Sequence, residues 1–400
     1  MLIQSLEEKM PNIIKQIKSI FFDKARVLPP GLYNYQSPKE HEYQYRLHLR
    51  IEPGGQGLLI INASTVLHLN QTATELAYYL VNQIPKPEAI ESMVKRYQIN
   101  FAEASKDYED FIDRIETIIN TPDLDPVTYL DFDRLTPYTE FPIAPYRLDC
   151  ALTYQLSSPE LEEHSPKNRV TRELSFDEWK SILSKAWKIG IPHVIFTGGE
   201  PTLRPDVINL IETAESFGMV TGLSTDGLRF ADNDFLNQVL NSGLDHLLIT
   251  FSPDVPESWA AIKNLTPQDI HTTVHLTIDQ TPEENYVDIF NQLQEIGVEN
   301  ISLSYSDPNF EKKLLNLRNK VAELGFDLDW DLPVPYSQFN PVSAEINDDD
   351  YKPNGTGKAW LYVEPDGDVL PAQGITKKLG NFLADPWEVI WENAKQYNKK

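Results

Sequence analysis

Four short stretches of the chain carry side chains that could do chemistry. Thr197-Gly198-Gly199-Glu200-Pro201 closes an apolar run ending in Phe196. Its two glycines let backbone approach a ligand closely and leave N–H groups free. Glu200 adds a carboxylate suited to an ammonium, and Pro201 stiffens the exit. The other reading is a tight strand-to-helix turn with a solvated glutamate. Ser224-Thr225-Asp226-Gly227 offers groups that can bind hydroxyls or a carboxylate, or else forms an Asp-Gly turn. Thr250-Phe251-Ser252-Pro253-Asp254 has the same ambiguity, with Ser252 as its candidate ligand group. His271 and His275 stand four apart, a zinc-ligand spacing only on a helix. On a strand four residues span ~13 Å, too far to share one metal, so the pair reads as satisfied or exposed.

The thiol count narrows the chemistry further. Cys150 is the one cysteine in 400 residues. It excludes an internal disulfide framework, a four-cysteine zinc site and an ordinary iron–sulfur cluster built from the chain's own thiolates. No G-x-S-x-G elbow and no Walker motif occurs. Acid–base candidates are Glu160, Glu163, His164, Asp226 and Asp254. Glu160 and Glu163 share a face if their loop is helical, and otherwise read as a solvated acidic loop.

These residues need elements to hold them. Residues 1–25 have apolar positions at helical spacing, and Pro29-Pro30-Gly31 ends that helix. Over 26–120 the period switches to strands near 43–51 and 58–69. Helices follow at 73–83, 86–97 and 101–119, with Thr72 as a cap and Glu75 three residues on. Residues 121–147 hold five prolines and read as an extended connector. From 148 to 325 strands (148–154, 192–197, 219–224, 245–251, 272–279, 299–305) alternate with helices (175–189, 205–217, 233–242, 257–263, 284–296, 310–324). Ser175 and Glu178 make a capping box. Such repeats imply a parallel sheet, either doubly wound or a partial barrel, with ligands at the C-terminal strand ends. Residues 326–400 form a smaller unit, with a hairpin around Pro365-Asp366-Gly367 and a last helix capped by Asp385.

Sixty acidic against thirty-five basic side chains give a net charge of -25. That disfavours nucleic acid and anionic membrane surfaces and leaves a neutral or basic partner. No apolar run approaches the ~18 residues of a membrane span, and the first residues mix charges through their apolar positions, unlike a signal peptide. The expected location is the cytoplasm.

Residues 193–230, HVIFTGGEPTLRPDVINLIETAESFGMVTGLSTDGLRF, resemble the second and third strand units of the radical S-adenosylmethionine (SAM) superfamily, and HLLITFSPD its fourth strand. Residues 360–393 resemble the SPASM or twitch extension of peptide-modifying members, and 26–120 the PqqD-like element that binds a precursor's leader peptide by strand addition, with the edge strand around 58–69 and the following helices as the peptide groove. The resemblance implies an α/β fold: a partial (β/α)6 TIM-like barrel, an N-terminal winged-helix-like α+β domain and a small C-terminal hairpin-plus-helix extension. It places the amino group of SAM at Gly198, Gly199, Glu200 and Pro201, and further cofactor contacts at Ser224, Asp226 and Ser252.

The family's first strand leads into Cys-x3-Cys-x2-Cys, which holds a [4Fe–4S] cluster. Here one frame puts Leu156, Glu160 and Glu163 at those positions, and the other Cys150, Tyr154 and Ser157. Ala372 stands where the extension usually has a cluster cysteine. Carboxylates are hard donors and clusters favour soft thiolates, so no iron–sulfur cluster is expected, while the loop can still hold SAM. The expected function is that of a degenerate member: a scaffold or partner subunit in peptide recognition and maturation, binding a precursor or leader peptide at 26–120 beside a partner enzyme. Alternatives are a SAM- or small-molecule-dependent enzyme working without a cluster, and a peptide-modifying radical SAM enzyme whose cluster ligands are replaced.

Overall fold

In the computed structural model the chain divides into two compact units, Met1–Arg134 and Leu135–Lys400. The structure describes residues 28–38, 41, 44–62, 65–121, 124, 129, 141–345 and 353–399. The expected helix over 1–25 and most of the proline-rich connector lie outside the described residues.

The first unit is an antiparallel sheet of β1 (Gly31–Gln36), β2 (Arg46–Ile51), β3 (Gly57–Ile61) and β4 (Thr65–Leu69), paired in chain order. Leu47, Leu49 and Ile51 alternate toward one face, where Leu59, Ile61, Leu67 and Leu69 join them. Three helices follow: α1 (Gln71–Val81), α2 (Lys86–Tyr97) and α3 (Phe101–Asn120). α1 supplies Ala77 and Val81 to that core, and α3 supplies Ile115. Gly57 must lack a side chain, because a Cβ there would lie 2.6 Å from Thr74 Oγ1.

Two expectations change in this unit. The cap of α1 is Asn70, whose side chain accepts from Ala73 N–H at 2.9 Å, rather than Thr72. Glu75 is instead a buried clasp, accepting from Tyr97 OH at 2.8 Å and from Tyr79 OH, and paired with Arg96 at 2.9 Å. The segment 58–69 is also not one edge. β3 is internal, and among the described residues only β1 and β4 have an unpaired side.

The second unit carries six parallel strands: β5 (Arg147–Thr153), β6 (His193–Gly198), β7 (Val220–Thr225), β8 (His246–Thr250), β9 (His271–Ile278) and β10 (Asn300–Tyr305). A short β11 (Asp327–Leu328) continues the sheet. The helices α4 (Phe176–Ile189), α5 (Val207–Ser216), α6 (Asn233–Asn241), α7 (Pro256–Leu265), α8 (Glu283–Ile296) and α9 (Glu311–Glu323) connect them. Every expected strand and helix of this stretch lies within two residues of these bounds. Amphipathic patterning explains the agreement: Trp179, Ile182, Leu183 and Ala186 of α4 are buried, and its Ser175–Glu178 capping box forms.

Strand alternation splits the sheet into two faces. Leu148, Cys150, Leu152, Val194, Phe196, Leu223, Leu247 and Ile249 join the helix-side core. The other face carries Asp149, Thr153, Thr197, Ser224, Thr273, His275 and Ser302, all buried. It is a polar interior of a TIM-like half-barrel, the α/β class expected.

The C-terminal segment extends this sheet. β12 (Trp360–Val363) runs parallel to β5, with Tyr362 opposite Asp149, and continues into β13 (Asp368–Leu370) and β14 (Gly380–Asn381). α10 (Trp387–Tyr397) closes the chain. Its N-cap is Pro386, and Asp385 instead accepts from Asn381 N–H at 2.7 Å. No helix among the described residues is long and apolar enough to cross a membrane.

Candidate ligand loop at the barrel mouth

Gly198 ends β6, and the loop behind it is built by close backbone packing. Gly198 has φ +125, and a Cβ on it would sit 2.2 Å from Thr153 O. A Cβ on Gly199 would sit 2.3 Å from Gln155 O. The glycines are therefore required first by the chain leaving β5. The N–H groups expected to be free are taken: Gly199 donates to Thr153 O at 2.8 Å and Glu200 to Gln155 O at 2.7 Å. Gly198 O accepts from Tyr336 N–H at 2.8 Å.

Glu200 is buried and points into its own neighbourhood, not into solvent. One carboxylate oxygen accepts from Thr202 N–H at 2.8 Å and from the Thr202 hydroxyl. The other accepts from Asp226 N–H at 2.7 Å, and Thr225 Oγ1 lies 2.8 Å from both. The carboxylate thus staples the exits of β6 and β7 together. Burial, reinforced by the Asp226 charge, pushes Glu200 up to about 8 against the pull of these donors. Pro201 is buried and opens a short turn.

Asp226 is drawn into the same cluster. Its carboxylate accepts from the Ser157 hydroxyl and, at 3.0 Å, from Leu228 N–H. Gly227 has φ +76, as the turn reading requires. Ser224 is buried on β7. Ser252 is tied to its own loop: its N–H donates to Ser258 Oγ at 3.1 Å, and Asp254 is exposed. The mouth therefore brings together 153–157, 198–202 and 225–226. Thr197 Oγ1, one residue before Gly198, is fully buried without a hydrogen-bond partner among the described residues. A cavity of about 220 Å³ lies beside the loop, lined by Gln155, Glu173, Leu203 and Arg204 among others.

The other candidates are placed elsewhere. His271 pairs with Asp329 at 3.2 Å, whereas His275 is buried between Ser302 Oγ (3.2 Å) and Ser304 Oγ (3.0 Å). Burial pushes His275 down to about 4. Glu160 and Glu163 lie exposed on a 3-10 turn, Pro159–His164, and His164 approaches Glu163 at 3.9 Å.

Sequence reasoning missed Tyr336 and Thr202 as parts of the site. Thr202 follows the strand end by four residues, a signal that could have found it. Tyr336 lies in an irregular stretch with no such signal.

The resemblance implies three thiolates for a [4Fe–4S] cluster, and other residues stand at both sets of positions. Leu156 is buried against Gly199, and Glu160 and Glu163 are exposed oxygen donors. Cys150 faces the helix-side core, where burial and then Asp149 push its thiol well above the usual range. Tyr154 is committed to Glu364 at 2.9 Å and Ser157 to Asp226. Ala372 is buried beside Trp360 and Ile375. In neither frame do these residues fit a three-thiolate cluster.

Residues 150–270 match the family model of the radical SAM superfamily. A PqqA peptide cyclase of Gluconobacter oxydans (strain 621H) is 24% identical over 254 residues, 58% of this chain and 70% of the relative. Streptococcus suis SuiB bound to precursor peptide SuiA superposes with a TM-score of 0.56 at 13% identity over 88% of each chain. SuiB bound to S-adenosylmethionine gives 0.54 at 12% identity, over 90% of this chain and 88% of that one. The fold is that of the SuiB structures.

These findings correct one expectation. The cysteine count had argued that no iron–sulfur cluster is to be expected, but the matched family is one whose members bind a [4Fe–4S] cluster together with SAM. A thiol count within one chain measures what that chain donates. It does not decide what the family's site holds, so the expected absence is withdrawn.

Proposed function

From the premise that the chain belongs to the radical SAM superfamily, we propose that it acts in the maturation of a ribosomally made peptide, as the subunit that recognises it. The precursor or leader peptide docks on the PqqD-like 26–120 domain, and the barrel, with its SPASM-like extension, serves as scaffold beside a partner enzyme. The observation that carries this reading is the free side of β4. Among the described residues its backbone is paired only to β3, and α1 follows it directly, so a peptide can add there as a further antiparallel strand. The net charge of -25 suits a neutral or basic peptide. SuiB, whose structure holds a precursor peptide, shares the fold.

The barrel mouth retains a site for the amino-acid end of SAM at Gly198, Gly199, Glu200 and Pro201, with Ser224, Asp226 and Ser252 on the adjoining strand ends. The unpaired hydroxyl of Thr197 supports a ligand there. A buried hydroxyl without a partner costs about 1–3 kcal/mol, which a bound polar group would recover.

The experiment is fluorescence anisotropy of the full-length chain with labelled peptides from short reading frames encoded beside it. One of them binds, Val66→Pro on β4 abolishes the binding, and Leu32→Pro on the opposite edge keeps it. No binding by any neighbouring peptide, or equal loss in both variants while circular dichroism stays native, refutes the reading.

A further inference from the structure

The irregular segment 333–345 runs from the last barrel strand toward the extension, and its contacts converge on the ligand loop. Tyr336 is 2% exposed, and its N–H occupies Gly198 O at 2.8 Å. Its ring packs edge-on against Tyr154, 5.6 Å between centroids at 85°, within a cluster that includes Ala151 and Tyr362. Ala151 and Tyr362 alternate with the helix-side residues of β5 and β12, so the ring lies on the interior face at the mouth.

Two further sets of bonds hold the segment down. Val334 O accepts from Gln373 Nε2 and Asn340 Nδ2, each at 2.7 Å. Tyr336 OH donates to Glu345 at 2.6 Å, and Arg169 bridges Glu345 to the buried Glu364, the latter at 3.1 Å. The strap is thus closed by a tyrosine, two carboxylates and one guanidinium, and its one backbone contact with the ligand loop is the carbonyl of the first glycine.

We propose that 333–345 is an autoinhibitory strap: the Tyr336 N–H stands in for the ammonium of an amino-acid-bearing ligand at Gly198 O, and that ligand binds only when the strap lifts. The inference rests on the reading of the 198–201 loop as an amino-group site. With the strap closed, Gly198 O, Gly199 N–H and both Glu200 carboxylate oxygens are all engaged by the protein itself. The ligand's apparent affinity is then the intrinsic one multiplied by the fraction of open strap, so weakening the clasp raises affinity without touching the loop.

The test uses the full-length protein with SAM as probe, in calorimetry and in hydrogen exchange of the 333–345 amides. Glu345→Ala and, keeping the ring, Tyr336→Phe speed strap exchange and tighten SAM binding by roughly tenfold. SAM itself speeds strap exchange in the wild type. 5′-Methylthioadenosine, which has the nucleoside and sulfur but no amino-acid moiety, gains nothing from either variant. Unchanged SAM affinity in variants whose strap exchanges faster overturns the strap while leaving the loop reading intact. No SAM binding even with the strap released removes both. Strap amides that become more protected when SAM binds, or that exchange as in the wild type in both variants, also overturn the proposal.

Discussion

Replacing Glu200 with glutamine keeps the size of the side chain and removes only its charge and one acceptor. Each carboxylate oxygen accepts a backbone N–H, from Thr202 at 2.8 Å and from Asp226 at 2.7 Å. A carboxylic acid can hold a proton on one oxygen and still accept with it, but an amide nitrogen cannot accept. Whichever way the amide is flipped, it faces one backbone N–H and leaves that donor unsatisfied, a loss of about 1–3 kcal/mol. The pH dependence provides a second reading. The folded-state value of Glu200 is raised to about 8, above the 4.5 of a free glutamate. Between those values the folded chain keeps a proton that the unfolded chain has released. Glu200 therefore contributes most stability below the unfolded value, and the contribution is lost as pH rises through the folded one. The slope is up to ~1.4 kcal/mol per pH unit. Urea denaturation of wild type and Glu200→Gln from pH 5 to 9 measures both effects. The wild type is more stable at pH 5, and its advantage over the variant falls steadily toward about pH 8, turning into a deficit on the way, and then flattens. An advantage that is absent at pH 5, or that grows with rising pH, refutes the account of this carboxylate.

Two further outcomes follow from the barrel. Gly199→Ala drives a Cβ onto Gln155 O and lowers stability by roughly 3 kcal/mol or more, whereas Gly54→Ala, with nothing within 4 Å, leaves the melting temperature nearly unchanged. Equal melting temperatures for the two would show that the 153–156 segment yields easily. His275 stays neutral down to about pH 4, so its stabilising effect is present above 6.5 and fades as pH falls through 4. An imidazole NMR titration of His275 with its midpoint near 6.5 would refute its burial between Ser302 and Ser304.

The peptide-binding face was less legible than the barrel. Strand spacing over 58–69 was visible, but which strand lies at the edge is a property of sheet order. β3 has neighbours on both sides and β4 on one. The cap of α1 was misassigned for a related reason. Asn70 and Thr72 both have capping side chains, and the choice fell to Asn70 because Glu75 is drawn into the interior by Tyr79, Tyr97 and Arg96.

The sequence alone determined the repeating strands and helices, the α/β class, the loop after β6 and the single thiol. Those are consequences of spacing over two to four residues and of composition, which folding does not alter. Tertiary structure alone decided that the glycines answer to Thr153 and Gln155, that Glu200 turns inward to Thr225 and Asp226, that β12 extends the barrel beside β5, and that Tyr336 sits on Gly198. Each of these is a contact between segments far apart in sequence. A backbone carbonyl carries no mark in the sequence of which distant N–H will reach it.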